Sequence, residues 1–266
     1  MPIAFFTSDL HGRPGRYRAL WSRAADEIPE AVFLGGDLTP HGMDRSWDES
    51  GSGGDFVPDF LAAGFRDLRD RLGDRYPRVF LVLGNDDPYH AAADLAVGED
   101  AGLWEYLHRR RTTWAGHDVY GYNCVPPTPF LLKDWERYDV SRFVDPGCIP
   151  PEEGRRGDGL AAREIRWTTI KEELAELAGD ADQTGAIWLF HTPPHGTGLD
   201  LAALAGVSVD HAPVDPHVGS IAVREFIEAR QPLVTLHGHV HETAARSGRW
   251  RETLGATRAF AGAHGG

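Results

Sequence analysis

Val79-Phe80-Leu81-Val82-Leu83-Gly84-Asn85-Asp86-Asp87 sets out the pattern by which the rest of the chain can be read. Five apolar residues run without polar alternation, which predicts a short strand buried on both faces. The run stops at a glycine, and side chains able to bind a cation follow. The same format recurs. Ile3 to Thr7 leads into Ser8-Asp9-Leu10-His11-Gly12, and Ala31 to Leu34 into Gly35-Gly36-Asp37. Ala186 to Phe190 leads into His191-Thr192-Pro193-Pro194, and Leu233 to Leu236 into Gly238-His239-Val240-His241. Helical spacing fills much of the intervening chain. Pro14 to Glu27 places Tyr17, Leu20, Trp21 and Ala24 on one face, and Phe56 to Leu72 does the same with Phe60, Leu61, Phe65, Leu68 and Leu72. Ile165 to Leu177 and Ser220 to Ala229 also read as helices. Strands alternating with helices predict an α/β fold, a sheet with helical cover. In such sheets ligands gather beyond the carboxyl ends of the strands.

Asp9, His11, Asp37, Asn85, His191, His239 and His241 are therefore candidate metal ligands. Imidazole and carboxylate together suit zinc, iron and manganese. Asp9 and His11 are alternate residues, so an extended backbone would turn both to one side. The glycines before Asp37 let the backbone approach an ion closely. Taken singly, Asp9 or Asp37 reads as a turn or cap residue, and a lone His191 proves little. All five motifs in order, each closing an apolar run, favour a shared metal site.

This set resembles the calcineurin-like metallophosphoesterase superfamily, whose pattern is D-x-H, G-D, G-N-H-D/E, a lone His and G-H-x-H. The resemblance runs from Asp9 to His241. It implies a two-sheet β-sandwich flanked by helices, with metals at one edge. It implies two divalent transition metal ions, manganese or iron foremost, with zinc and nickel as alternatives. One would be held by Asp9, His11, Asp37 and His241, the other by Asp37, Asn85, His191 and His239. The implied activity is hydrolysis of a phosphomonoester or phosphodiester by direct attack of a metal-bridging hydroxide. The chain departs from the pattern once. Asp86 stands where the family has a histidine, its usual proton donor, and a carboxylate is ionised at neutral pH and makes a poor acid. Asp86 at this catalytic position thus leaves the protonation step open. His195, in the mixed stiff and supple stretch Thr192 to Thr197, is the candidate substitute donor or substrate contact, against a plain surface histidine. His217 and Ser220 open a predicted helix whose N–H groups would favour phosphate, against Ser220 as a simple N-cap.

The 266 residues carry a formal charge of −13, which argues against a generic nucleic-acid or membrane-surface binder. The resemblance implies a small phosphorylated substrate as the partner. His108-Arg109-Arg110-Arg111 and Arg155-Arg156 are the local basic runs, read as solvated. Cys124 and Cys148 are the two cysteines, with no disulfide framework or zinc spacing. No apolar stretch nears the ~20 residues that span a bilayer, and Met1-Pro2 leads straight into the first apolar run. A reducing cytoplasm is the default expectation. Length is compatible with a single domain over 1–266.

The middle of the chain is less regular. Thr113-Trp114-Ala115 and Val119 to Tyr122 read as strands joined by a turn at Gly116-His117-Asp118. Pro126 to Gly159 is rich in proline and glycine yet carries Phe130, Trp135, Tyr138 and Phe143. Such an insertion is either an ordered flap near the site or a small satellite core. Pro40 to Asp55 reads as a polar loop, and Thr243 to Phe260 as short antiparallel strands. Two other functions compete with hydrolysis. One is a non-catalytic scaffold of the same fold used for protein interaction, the other a nuclease, which would need a basic groove.

Overall fold

A computed structural model describes residues 2–40 and 54–263. Most of the loop expected over Pro40 to Asp55 lies outside the described residues. Strands β1 (Ala4–Thr7), β2 (Ala31–Gly35), β3 (Arg78–Val82) and β4 (Glu105–Tyr106) pair in that order, all parallel. β5 (Arg110–Trp114), β6 (His117–Tyr122) and β7 (Ile187–Phe190) belong to a second sheet. β8 (Ser208–Val209) and β9 (Ala212–Pro213) make a small ribbon apart from both. β10 (Val234–His237), β11 (Arg251–Leu254) and β12 (Thr257–Ala261) complete the second sheet, in the order β11-β12-β10-β7-β6-β5. Its central pairs are parallel and its two outer pairs antiparallel.

The unbroken apolar runs of β2, β3 and β7 are explained by burial on both faces, with parity deciding which core each residue enters. The run at β1 differs from expectation: it is the edge strand of its sheet, exposed at Ala4 and only partly buried from Phe5 to Thr7. Ala31, Phe33, Phe80 and Val82 of the first sheet meet Val119, Ile187, Leu189 and Leu236 of the second. The alternate residues Val32, Leu34, Val79 and Leu81 turn the other way, into the core with Tyr17, Ala24, Phe65 and Leu68. Those four come from the helices Pro14–Glu27 and Ala62–Leu72. On the far side, Trp188 and Phe190 face the helix Ile221–Arg230, with Phe226 4.6 Å from Trp188 ring to ring. The result is two sheets packed face to face between helical layers.

Several boundaries differ from the sequence reading. Phe56 to Leu72 is helical throughout, but its start, Phe56–Leu61, is π-wound. The helix expected over Ile165 to Leu177 is two: a single turn, Ala162–Ile165, and then Ile170–Ala178. Thr169 separates them, its side chain accepting the N–H of Glu172 as an N-cap. The β5–β6 turn is Ala115-Gly116, with φ of 50° and 83°, so His117 and Asp118 are strand residues rather than turn. In the tail, β11 and β12 are antiparallel as expected, but Thr243–Ser247 is a short helix. The insertion is irregular yet tied down. Trp135 joins the main core and packs on Tyr89 and His108 at 5.6 and 5.1 Å, so the segment is no detached satellite. Its interior is polar: Lys133 Nζ lies 2.6 Å from Glu136, and neither side chain is exposed.

Candidate metal centre

Every predicted ligand lies just past the carboxyl end of a strand. Asp9 and His11 follow β1, Asp37 follows β2 and Asn85 follows β3. His191 follows β7 directly, and His239 and His241 follow β10. Backbone bonds carry the pairing beyond the strands and fix these loops. The N–H groups of Asp9 and His11 reach Gly36 O and Asp37 O at 2.9 and 2.8 Å, and Gly238 N–H reaches His191 O at 2.8 Å.

Asp9, His11, Asp37 and His241 bring one ligand atom each into a group whose members all lie within 4.8 Å of one another. His11 Nε2 and His241 Nε2 face each other at 2.9 Å, and His241 Nε2 is 3.1 Å from Asp9 Oδ1. Imidazole nitrogens so placed either share a proton or aim both lone pairs at one cation. A second set adjoins it. His191 Nε2 lies 3.2 Å from Asn85 Oδ1 and 3.3 Å from Asp37 Oδ2, and the His239 ring is 5.2 Å from that of His191. His191 Nδ1 is 2.8 Å from the carbonyl of Gly35, an acceptor only, so the hydrogen sits on Nδ1. That leaves the Nε2 lone pair for a metal, the arrangement expected of a ligating histidine.

The backbone is bent to make this fit. Asp9, His11, Asp37 and His239 have φ of 58°, 48°, 50° and 74°, a left-handed conformation uncommon outside glycine, though aspartate and histidine adopt it more readily than most. Such strain persists only where the surroundings impose it, and it collects at functional sites. The glycines leave no room to spare. A Cβ on Gly84 would stand 2.2 Å from Asp37 Oδ1, and one on Gly36 2.4 Å from His191 Nδ1. Electrostatics also call for a cation. Burial raises Asp37, and the carboxylates gathered here add to that. Burial opposes protonation of His191, yet the Asp37 carboxylate against it pulls it upward, so metal-free the pair holds a proton on the imidazole. Asp9 is buried, which raises it, but the hydrogen bond and charge of His241 hold it below its ordinary range. Protons thus stand in where a divalent ion would satisfy the same oxygens and nitrogens, and the donor set fits such an ion.

Asp86 is beside the centre. Its Oδ1 accepts from Asn85 Nδ2 at 2.9 Å and its N–H donates to Asp37 Oδ1 at 2.9 Å. Holding the amide nitrogen of Asn85 turns its amide oxygen towards His191. His195 and His217 come together, rings 5.9 Å apart, in the lobe between β7 and β10. Ser220 is an N-cap: its hydroxyl accepts the N–H of Val223 at 3.0 Å. The helix N–H groups expected to favour phosphate are already taken, since Ile221 and Ala222 donate to Asp139 at 2.7 and 3.1 Å. Asp139 also receives the Ser220 hydroxyl at 2.5 Å. The chain's own carboxylate occupies the helix N–H groups where an anion was expected.

Asp87 is a residue the sequence reading passed over. It is fully buried and accepts from Leu38 N, Thr39 N, Thr39 Oγ1 and Gly84 N at 2.7–3.1 Å. It locks the Asp37 loop to the Asn85 loop. Its signal was present, an aspartate three residues past a glycine in a turn, but its partners Leu38 and Thr39 are about fifty positions away.

The profile of the calcineurin-like phosphoesterases matches residues 1–243. Among curated proteins none matches. Among solved structures, TT1561 of Thermus thermophilus is 20% identical with a TM-score of 0.56, covering 99% of this chain and 89% of that one. A second crystal structure is 18% identical with a TM-score of 0.56, covering 98% and 90%. At those identities the likeness is one of fold. The profile covers most of the sequence and every motif from Asp9 to His241, and the chain belongs to the calcineurin-like phosphoesterase family.

Proposed function

We propose that this protein hydrolyses a small phosphorylated substrate, a phosphomonoester or phosphodiester, with two divalent cations bound at the strand ends. Asp9, His11, Asp37 and His241 would hold one ion, and Asp37, Asn85, His191 and His239 the other. The observation that carries this reading is the convergence of Asp9, His11, Asp37 and His241 within 4.8 Å, in a member of a phosphoesterase family. When bound, such ions supply a nucleophile activated near neutral pH and positive charge for the phosphoryl oxygens. Manganese or iron suits the mixed oxygen and nitrogen donors, with zinc or nickel as alternatives.

The chain's own part is to aim and to neutralise. His191 is held in its ligating tautomer by Gly35, Asn85 is turned by Asp86, and Asp87 keeps two ligand loops in register. Among the described residues no helix is long and apolar enough to cross a membrane. Cys124 and Cys148 are both free thiols, which suits the reducing cytoplasm we propose. A second reading, a binding scaffold that has kept the ligands, draws on Asp86 standing where the family has its acid histidine.

The test is direct. Purified protein is assayed for metal content, then for turnover of activated aryl phosphomonoesters and diesters with manganese, iron, zinc, nickel and cobalt. Activity that rises with manganese and vanishes on chelation is the expected result. Metal binding with no turnover under any of the five metals favours the scaffold.

A further inference from the structure

The lobe between β7 and β10 carries a second group of histidines and aspartates, outside both ligand sets. His217 Nδ1 lies 2.8 Å from Asp200 Oδ1. Asp200 is fully buried, and its oxygens also accept the N–H groups of Gly196, Thr197 and Gly219 at 2.9, 2.8 and 3.2 Å. A carboxylate surrounded by donors acts as an acceptor, so His217 presents a hydrogen on Nδ1. Its other nitrogen, Nε2, belongs to a side chain that is one-third exposed. The His195 ring stands edge-on at 5.9 Å, with its Nε2 3.3 Å from the half-exposed Asp215. Asp215 also accepts the N–H of His217 at 2.8 Å.

The lobe is fastened to the ligand loops at two places. Ser220 N–H donates to Pro193 O at 2.8 Å, and His195 N–H to Ser220 O at 3.0 Å, just downstream of His191. At the other end Ala203 N–H reaches Glu242 Oε1 at 2.9 Å and Leu201 N–H reaches Thr243 Oγ1 at 3.1 Å, immediately after His241. The histidine pair is therefore held between the chain leaving His191 and the chain leaving His241. Four residues of chain reach at most ~14 Å, which bounds the distance from His191 to His195.

We propose that His217, held by Asp200, donates the proton to the leaving oxygen, the task for which Asp86 offers no imidazole. The proposal rests on the phosphoesterase reading. As the P–O bond breaks, its electron pair goes to the leaving oxygen. The proton on His217 Nε2 passes to that oxygen, and the imidazole becomes neutral with its Nδ1–H still on Asp200. Water restores the proton. Asp200 is a positioning residue: it does not touch the substrate but fixes tautomer and ring plane, as a buried carboxylate does for histidine in hydrolase triads. His195, the candidate raised by sequence, has the longer bond to the more exposed carboxylate and is the less firmly aimed of the two.

The test compares an activated aryl phosphoester with an alkyl phosphoester of the same charge, on manganese-loaded full-length protein. His217→Ala is expected to lower kcat/KM for the alkyl ester by about 10²–10⁴-fold and to affect the aryl ester far less. His195→Ala is expected to leave the ratio of the two nearly unchanged. Asp200→Asn is expected to move the ratio in the same direction as His217→Ala. Nitrogen NMR of the metal-free protein at alkaline pH, where the imidazole is neutral, is expected to show the Nδ1–H tautomer at His217, lost in Asp200→Asn. Should Asp200→Asn not fold, His217→Ala and the wild-type spectrum still decide the matter. Equal losses on both esters, no loss on either, or an Nε2–H tautomer at His217 overturns the proposal alone. A wild-type protein inactive on both esters overturns the phosphoesterase reading, and this proposal with it.

Discussion

Two buried charged clusters in this molecule have opposite characters. In the insertion, Lys133 Nζ meets Glu136 at 2.6 Å, and Glu136 also accepts from Thr128 N at 2.8 Å. Nearby, Arg156 and Arg137 face Asp158, so each carboxylate has a cation of the chain's own. At the strand ends, Asp9 and Asp37 have histidine rings against their carboxylates in place of lysine or arginine, and four of the seven ligands sit in a left-handed backbone conformation. A buried ion pair with complete partners is a folding element, costly to break by halves. A buried set of carboxylates faced only by histidine rings is a candidate cation site. The difference is legible in partner chemistry, not in burial, since the carboxylates of both clusters are sealed from solvent.

The sharpest way to break this contrast is Asp37→Ala. Removing the acid common to both ligand sets should empty the centre of metal and lower turnover by about 10³-fold or more, whereas His191→Ala should weaken mainly one ion. Elemental analysis of both variants checks this, and two ions retained in Asp37→Ala would refute the shared role. Lys133→Ala should do the converse. It should cost ~3–5 kcal/mol of stability by stranding Glu136 and leave metal content unchanged. The pair Lys133→Met with Glu136→Gln should recover most of that loss, as urea midpoints would show. A smaller effect is expected from Asp86→Ala. Freeing the Asn85 amide should weaken metal affinity by roughly 10–100-fold, the usual scale for a residue behind a ligand. A competitive chelator titration measures it.

The last effect concerns pH. His108 packs on Trp135, and burial, aided by the charges of Arg137 and Arg109, pushes it down to about 3. The unfolded chain takes up that proton near ~6.5. The stability His108 contributes is therefore complete above that pH and falls as pH drops towards the folded value, by up to ~1.4 kcal/mol per pH unit. His108→Gln should flatten this acid limb in urea melts between pH 7 and 4.5, with or without metal. An unchanged slope would place the acid sensitivity elsewhere.

Much of the centre was readable because its information is local. Each candidate ligand sits in a short motif after an apolar run, and most of these runs encode a strand with two buried faces, the edge strand β1 being the exception. What escaped was long-range or conformational. Asp139 caps a helix eighty residues downstream, and Asp200 holds His217 across seventeen. Nothing in the neighbourhood of either aspartate announces its partner. The Ala115-Gly116 turn lacks the Asn-Gly signature of its type, so the strand boundary slipped by two residues. The left-handed φ at Asp9, His11, Asp37 and His239 is imposed by tertiary packing, against local preference.

The candidate ligands are divided between the two sheets: Asp9, His11, Asp37 and Asn85 come from the first, His191, His239 and His241 from the second. Among the bonds that span this seam is His191 Nδ1 to Gly35 O. Ions seated there would act as rivets between the halves of the sandwich, and occupancy would be thermodynamically linked to cohesion. Free metal at a hundred times its dissociation constant would add about 2.7 kcal/mol to stability. Melting temperature should then climb with the logarithm of manganese concentration, and amide exchange should slow first at Gly36 and Gly238, where the rivet closes. The supply of metal in the surroundings would set how durable the folded protein is as well as how fast it works.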